Sequence, residues 1–247
     1  MKDGNILMSY DLYGEMNKER GEYTEFGNLH LSFQYLERKA HKELNGAESK
    51  YLDIGTNMGS LPHMVALEYP SCDVTGVDMR AEAIKKGKML YPEFSSHLIQ
   101  VGERLDNMHD NYFDVVTMFD VIEHIPQVKE YIQQEVFRVL KPGGIFVFQT
   151  PNRRINPFYE ILRSKSLTAY KAYHCSLQTP GSLKTMLLEA GFVNVVVEKN
   201  SLDSEFNRKK LQKFFGPLSV LIMKTFSVCP LAVYPNLWGG CRKPVDK

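Results

Sequence analysis

Two groups of residues in this 247-residue sequence have types and spacings that chemistry can use. The first is Asp120-x-x-Glu123-His124, joined by His174 fifty positions further on. An imidazole can take the proton of a hydroxyl near neutral pH. Two carboxylates and two imidazoles also make a donor set for a divalent cation such as Mg2+, which would acidify a bound hydroxyl. The plainer alternative is that Glu123 and His124 only brace their own loop by hydrogen bonds. The second group is Leu52-Asp53-Ile54-Gly55-Thr56-Asn57-Met58-Gly59, with Asp78 nineteen residues beyond it. Glycines at such a turn let a ligand approach the backbone closely. Asp78 can accept hydrogen bonds from both hydroxyls of a ribose, and it is equally a residue type that caps helices.

Two kinds of nucleoside ligand suit this skeleton. A dinucleotide wants G-x-G-x-x-G with a pyrophosphate at the helix N-terminus. Here the spacing is Gly55-x3-Gly59, and Asn57 stands in the middle. Asp53, two residues before the turn, is a poor neighbour for phosphate and a good one for an ammonium group. A nucleoside that carries an amino acid therefore fits better.

These residues need elements to position them. Residues 29–44 carry a helical stripe (Leu29, Phe33, Leu36, Ala40, Leu44) that Asn28 can cap and Gly46 can end. Strand and helix signals then alternate. Strands are expected at 51–54, 73–77, 97–101, 113–119 and 145–150, the last entered through the turn Pro142-Gly143-Gly144. Helices are expected at 61–69 and 81–90, and along Val128, Tyr131, Ile132, Val136 and Val139. A further helix is capped by Thr179, with Pro180 at its first position and Leu183, Met186, Leu187 and Ala190 as its stripe. Strands at 192–198 and 237–241 bring the total to seven. Apolar strands without alternation, separated by helices, imply an α/β doubly wound, mostly parallel sheet. Ligands of such sheets bind beyond the carboxyl ends of the strands, where both polar groups fall.

At these residues the sequence resembles the class I S-adenosylmethionine-dependent methyltransferases. The resemblance covers about 51–198. It rests on the Asp53–Gly59 turn, on Asp78, on the segment Phe113-Asp114-Val115-Val116-Thr117-Met118-Phe119-Asp120-Val121-Ile122-Glu123-His124-Ile125, and on Leu140-Lys141-Pro142-Gly143-Gly144. It implies a Rossmann-like seven-stranded fold and S-adenosylmethionine as cofactor. By position, Asp53, Gly55, Asn57 and Gly59 would hold the methionine end and Asp78 the ribose. Met79 would lie against the adenine, Glu103 or Arg104 near its amine, and Phe119 and Asp120 would line the reactive centre. Asn57 departs from the family's usual middle glycine, but Asn tolerates left-handed backbone. Ubiquinone-pathway O-methyltransferases and metal-dependent small-RNA 2′-O-methyltransferases carry a similar acid-x-x-Glu-His followed by a distant His. The likeness to them extends to Thr150-Pro151-Asn152 and His174-x4-Thr179, although their first acid is usually Glu rather than the shorter Asp120.

Composition narrows the classes. Apolar residues make up 43% and charged residues 24%, as in ordinary globular proteins. Thirty Lys and Arg against 29 Asp and Glu give a net charge of +1, which lacks the basic footprint of a nucleic-acid binder. Cys72, Cys175, Cys229 and Cys241 form no C-x-x-C pair, and residues 1–4 open no signal-like apolar run, so a cytoplasmic setting is expected. His30, His41, His63, His97 and His109 sit in no partner pattern.

The chain divides into a substrate-covering helical N-terminal cap (1–46), a cofactor-binding core (47–198) and a C-terminal extension (199–247) whose last strand is 237–241. A substrate-side insertion at 151–178 offers Arg153, Arg154, Tyr159, Arg163, Tyr170 and Tyr173 to a phosphorylated, sugar or aromatic acceptor. In the extension, Arg208, Lys209, Lys210 and Lys213 precede an apolar run, and 208–235 could rest on an anionic membrane surface or pack on the core. Its prolines and Lys224 argue against a spanning helix. The expected activity is methyl transfer to a small molecule, at a hydroxyl oxygen of a sugar, phenol or other metabolite, with His124, His174 and Glu123 as catalytic groups. Asp120, Glu123, His124 and His174 form the candidate metal set. An RNA 2′-O-methyltransferase and a non-catalytic cofactor-binding partner protein are the alternatives, and monomer and homodimer both remain open.

Overall fold

A computed structural model describes residues 24–157, 174–200, 212, 216–228, 230–231 and 234–245. Seven strands form one sheet: β1 (Lys50–Ile54), β2 (Asp73–Asp78), β3 (Leu98–Gln100), β4 (Phe113–Phe119), β5 (Leu140–Pro151), β6 (Val193–Glu198) and β7 (Asn236–Arg242). Their spatial order is β3-β2-β1-β4-β5-β7-β6. The first five strands pair parallel, and β7 runs antiparallel between β5 and β6. The strand order reverses between β1 and β4, which opens a crevice at their carboxyl ends.

Helices cover both faces because successive strand residues point to opposite sides. On one face, Tyr51, Val74, Val115, Val147 and Trp238 pack under α1 (Thr24–Leu44), α2 (Ser60–Glu68) and α3 (Ala81–Leu90). On the other, Leu52, Val116, Phe146 and Phe148 meet a helical segment at 128–139 and α5 (Pro180–Glu189). That segment, here α4, begins as Val128–Tyr131, widens to a π-helix over Ile132–Val136 and closes with Phe137–Val139. The expected cap of α5 is present as a full box: Ser182 N–H donates to Thr179 Oγ1 (3.1 Å), and Thr179 N–H donates to Ser182 Oγ (2.9 Å).

Two local expectations are corrected. Helix α1 begins at Thr24, four residues before Asn28, so Asn28 is inside the helix rather than its cap. A capping preference is a weak local signal that continued helical backbone overrides. Pro142-Gly143-Gly144 does not precede β5 but lies within it as a bulge. The pairing with β4 jumps from Phe113↔Leu140 to Val115↔Ile145, and Gly143, at φ +81°, makes the kink. The last strand, expected at 237–241, occupies the slot between β5 and β6, where Gly239 is required: a Cβ there would stand 2.3 Å from the Val196 carbonyl oxygen and 2.4 Å from the Phe148 ring.

Helix α6 (Ser219–Val228) exposes Val220, Leu221 and Val228. The basic residues Arg208, Lys209, Lys210 and Lys213 before it lie outside the described residues, as do Tyr159, Arg163, Tyr170 and Tyr173 of the insertion, Cys229 and residues 1–23 of the cap. Among the described residues no helix is long and apolar enough to cross a membrane.

Candidate active site

The crevice begins where β1 ends. The register sets Asp53 beside Thr117 of β4, and the Thr117 hydroxyl donates to Asp53 Oδ1 at 2.6 Å. Burial pushes the Asp53 carboxyl up to about 7; the Thr117 hydrogen bond opposes this and the charge of Asp78 adds to it. After Asp53 the chain turns through left-handed backbone at Gly55 (φ +75°), Asn57 (φ +54°) and Gly59 (φ +81°) before entering α2. Asn57 thus holds the conformation its type tolerates. The approach at Gly55 is close, since a Cβ there would lie 2.3 Å from Val121 Cγ2 and force that side chain to shift.

Asp78, at the end of β2, is buried. Its Oδ2 accepts the Asn57 N–H (2.8 Å), and its Oδ1 accepts the Arg80 N–H (2.8 Å) and Nε (3.3 Å). It does not cap α3, whose first turn is preceded by Arg80. Met79 beside it is 61% exposed, an apolar surface open at the crevice rim. Glu103 is exposed on the loop after β3. Arg104 is turned elsewhere: its Nε pairs with Glu135 (3.1 Å) and Asp106 (3.4 Å). Glu135, buried on the π-helical turn, also accepts the Leu105 N–H (3.0 Å) and Arg138 (3.1 Å), so α4 pins this loop.

The second group forms at the ends of β4 and β5. Glu123 is buried, and its Oε2 accepts the Thr150 hydroxyl at 2.9 Å. Burial, with the charge of Asp120, pushes it up to about 8. His124 Nε2 stands 3.7 Å from Glu123 Oε1. His174 is brought in from the distant segment because the Ser176 N–H donates to the Glu123 carbonyl (3.0 Å). The rings of His124 and His174 are 5.1 Å apart, and His174 Nδ1 lies 3.0 Å from Asn156 Oδ1. One ligand atom from each of Glu123, His124 and His174 falls within 4.8 Å of the others. Asp120 is not part of this cluster. At φ +54° it is tied to β5, with its N–H donating to Gln149 Oε1 (3.1 Å) and Gln149 Nε2 donating to its Oδ1 (2.8 Å). The structure thus gathers three of the four expected donors, and the short Asp side chain is spent on Gln149. Phe119 is half-buried and packs 5.9 Å from Trp238.

Thr117, Gln149, Asn156 and Arg80 were not singled out from sequence. Gln149 and Thr150 did leave a signal: two polar residues at the carboxyl end of a strand whose preceding residues, Ile145-Phe146-Val147-Phe148, are wholly apolar. Three of the remaining histidines have partners elsewhere. His63 meets Glu93, His97 meets the Val74 carbonyl and His41 meets Tyr69.

Comparison with known proteins bears on what this crevice holds. A family model described as a methyltransferase domain matches residues 28–197. The ubiquinone biosynthesis O-methyltransferase of Psychrobacter arcticus is 28% identical over 189 residues, covering 72% of each chain. Its counterpart in Pectobacterium atrosepticum is 33% identical over 136 residues, so the match spans 52% of this chain and about half (54%) of that relative. Among solved structures, a putative sarcosine dimethylglycine methyltransferase from Galdieria sulphuraria superposes with a TM-score of 0.62 at 17% identity, covering 87% of this chain and 86% of that one. The phosphoethanolamine N-methyltransferase 2 of Haemonchus contortus, solved with S-adenosyl-L-methionine, gives a TM-score of 0.57 at 17% identity, over 90% of this chain and 58% of its own. At these identities the structures speak for the fold alone.

Proposed function

The chain belongs to the class I S-adenosylmethionine-dependent methyltransferases, and from that premise we propose that it transfers the methyl group to a hydroxyl oxygen of a small-molecule acceptor. The observation that carries the oxygen assignment is the cluster of Glu123, His124 and His174 beyond the ends of β4 and β5. A nitrogen acceptor can attack with its own lone pair, whereas a hydroxyl needs a place for its proton.

In this reading Asp53 faces the ammonium of the cofactor's methionine end, and the Gly55–Gly59 turn lies against its chain. Asp78 takes the ribose hydroxyls, Met79 covers the adenine, and Glu103 rather than Arg104 is the polar residue left for the adenine amine. S-adenosylmethionine, held there, would supply its sulfonium methyl group to the acceptor oxygen and would leave as S-adenosylhomocysteine. The hydroxyl proton passes to an imidazole of the His124–His174 pair. Asn156 orients His174, and Thr150 holds Glu123 beneath His124. Much of the rate comes from holding oxygen and methyl at contact distance.

The donor set supports a second use of the same residues. One carboxylate and two imidazoles, with Thr150 and Asn156 behind them, suit a divalent cation, and two nitrogens favour a transition metal over Mg2+. Such an ion would lower the pKa of the acceptor hydroxyl. The relatives named ubiquinone biosynthesis O-methyltransferase support oxygen as the target and a phenol-like acceptor as the first to try.

The test is a screen of hydroxylated acceptors, phenols first, followed by His124→Ala and His174→Ala. Losses of about 10²–10⁴-fold in kcat with unchanged affinity for S-adenosylhomocysteine are expected. Methyl transfer only to nitrogen, or full activity in both variants, refutes the assignment. Chelation and metal add-back decide between the two uses of the cluster.

A further inference from the structure

The ribose subsite is already partly filled by the chain's own atoms. A carboxylate offers about four lone-pair positions. On Asp78 the Asn57 N–H takes one on Oδ2, and the Arg80 N–H and Nε take two on Oδ1. One position remains, yet a ribose held through both hydroxyls requires two. The two backbone donors are fixed by the turns they belong to. The Nε bond is the longest of the three at 3.3 Å, and its side chain is 60% exposed. The same guanidinium also reaches the turn after β1, where Nη2 donates to Asn57 Oδ1 at 3.0 Å. The ring is therefore closed: Asp78 carboxylate to Arg80 guanidinium, to the Asn57 side chain, and back through the Asn57 N–H to Asp78. A glycine in place of Asn57 has no side chain to complete it.

We infer that Arg80 is a latch across the ribose subsite, with Asn57 as its keeper, and that ligands engaging Asp78 through two hydroxyls must release it. The inference rests on the assignment of Asp78 to the ribose. It makes Arg80 a specificity-determining residue: a ligand that engages Asp78 through a single hydroxyl can use the remaining lone pair and leave the latch shut. The latch thus narrows the preference for ribose over deoxyribose and opposes both substrate and product cofactor equally.

Calorimetric titration of S-adenosylhomocysteine and its 2′-deoxy analogue tests this on the full chain. Variants are Arg80→Ala, Asn57→Gly and the double variant; Gly keeps the left-handed backbone at position 57. An exposed ion pair is a modest competitor, so Arg80→Ala should bind S-adenosylhomocysteine about two- to fivefold tighter and leave the 2′-deoxy analogue unchanged. Asn57→Gly should give a smaller gain, and the double variant no more than Arg80→Ala alone, because both act on one ring. Weaker binding in Arg80→Ala, or an unaltered ratio between the two ligands, overturns the latch while the cofactor assignment stands. A wild-type protein that melts cooperatively yet binds neither ligand overturns the assignment of Asp78 and the latch with it.

Discussion

Binding of S-adenosylmethionine should expel a proton from Asp53, and the amount is calculable. Burial holds this carboxyl at about 7, so in the empty crevice it is about nine-tenths protonated at pH 6 and about half protonated at pH 7. An ammonium placed beside it favours the charged form and returns it toward the ordinary carboxylate range. Binding then releases about 0.9 proton at pH 6 and about 0.5 at pH 7, and little by pH 8. By linkage, affinity rises with pH where the free protein holds the extra proton. From pH 5 to pH 7 the Kd should fall about fiftyfold, and it should level off above that, before the ligand's own amine begins to lose its charge near pH 8. The assay is calorimetric titration in two buffers of different ionisation enthalpy, whose difference counts the protons. Adenosine, which has no ammonium, is the control and should show no such slope. Asp53→Asn should bind S-adenosylmethionine weakly and independently of pH. A flat Kd from pH 5 to pH 7, with buffer-independent heats, would refute the placing of the ammonium against Asp53.

Two further outcomes follow from geometry already given. Gly55→Ala should lower stability by about 1–3 kcal/mol, through both the positive φ and the 2.3 Å approach to Val121, and remove cofactor binding; thermal melts with and without S-adenosylhomocysteine read both effects. Glu123→Gln should separate stability from activity. Burial raises the native pKa of Glu123 from its usual 4.5 to about 8, so the native state prefers the neutral acid. Wild-type stability is therefore lost as pH rises from the usual carboxylate range through the raised native value, and not beyond it. The amide cannot titrate, so urea melts should show the variant equal to wild type near pH 4.5 and more stable at pH 8, while methyl transfer is lost. Equal pH profiles for the two proteins would remove the buried-acid account.

The turn after β1 and the acid at the end of β2 were legible because short-range rules write them. A glycine-rich turn after an apolar strand, and an acid closing the next strand, are local patterns, and both lie where the strand order reverses. The register between β1 and β4 was not legible, and with it went Thr117, whose hydroxyl reaches Asp53 only because the two strands pair in that alignment. Arg80 was missed for a similar reason: its guanidinium links two turns that come together only in the folded sheet. The stripe of Val128, Tyr131, Ile132, Val136 and Val139 located α4. It did not betray the π-helical turn, since a buried Glu135 held by Arg104, Arg138 and the Leu105 N–H reads from sequence as a solvated charge. Asp120 looked like a ligand by spacing, but Gln149 on the neighbouring strand claims it.

The slot that β7 fills also orders events during synthesis. Residues 236–242 are made after β6, yet β6 is joined to β5 in the sheet only through them. As the chain leaves the ribosome, the first five strands and their helices can assemble while β6 and α5 wait with one edge unmatched. That edge carries Val193 and Val196, which remain 40% and 43% exposed even in the finished protein. Closure of the sheet, and with it the support that Trp238 gives to Phe119 at the crevice, thus waits until the last of the seven strands has been made. The interval before the last strand arrives is when this protein is most open to pairing with the wrong partner, and when a chaperone would matter most.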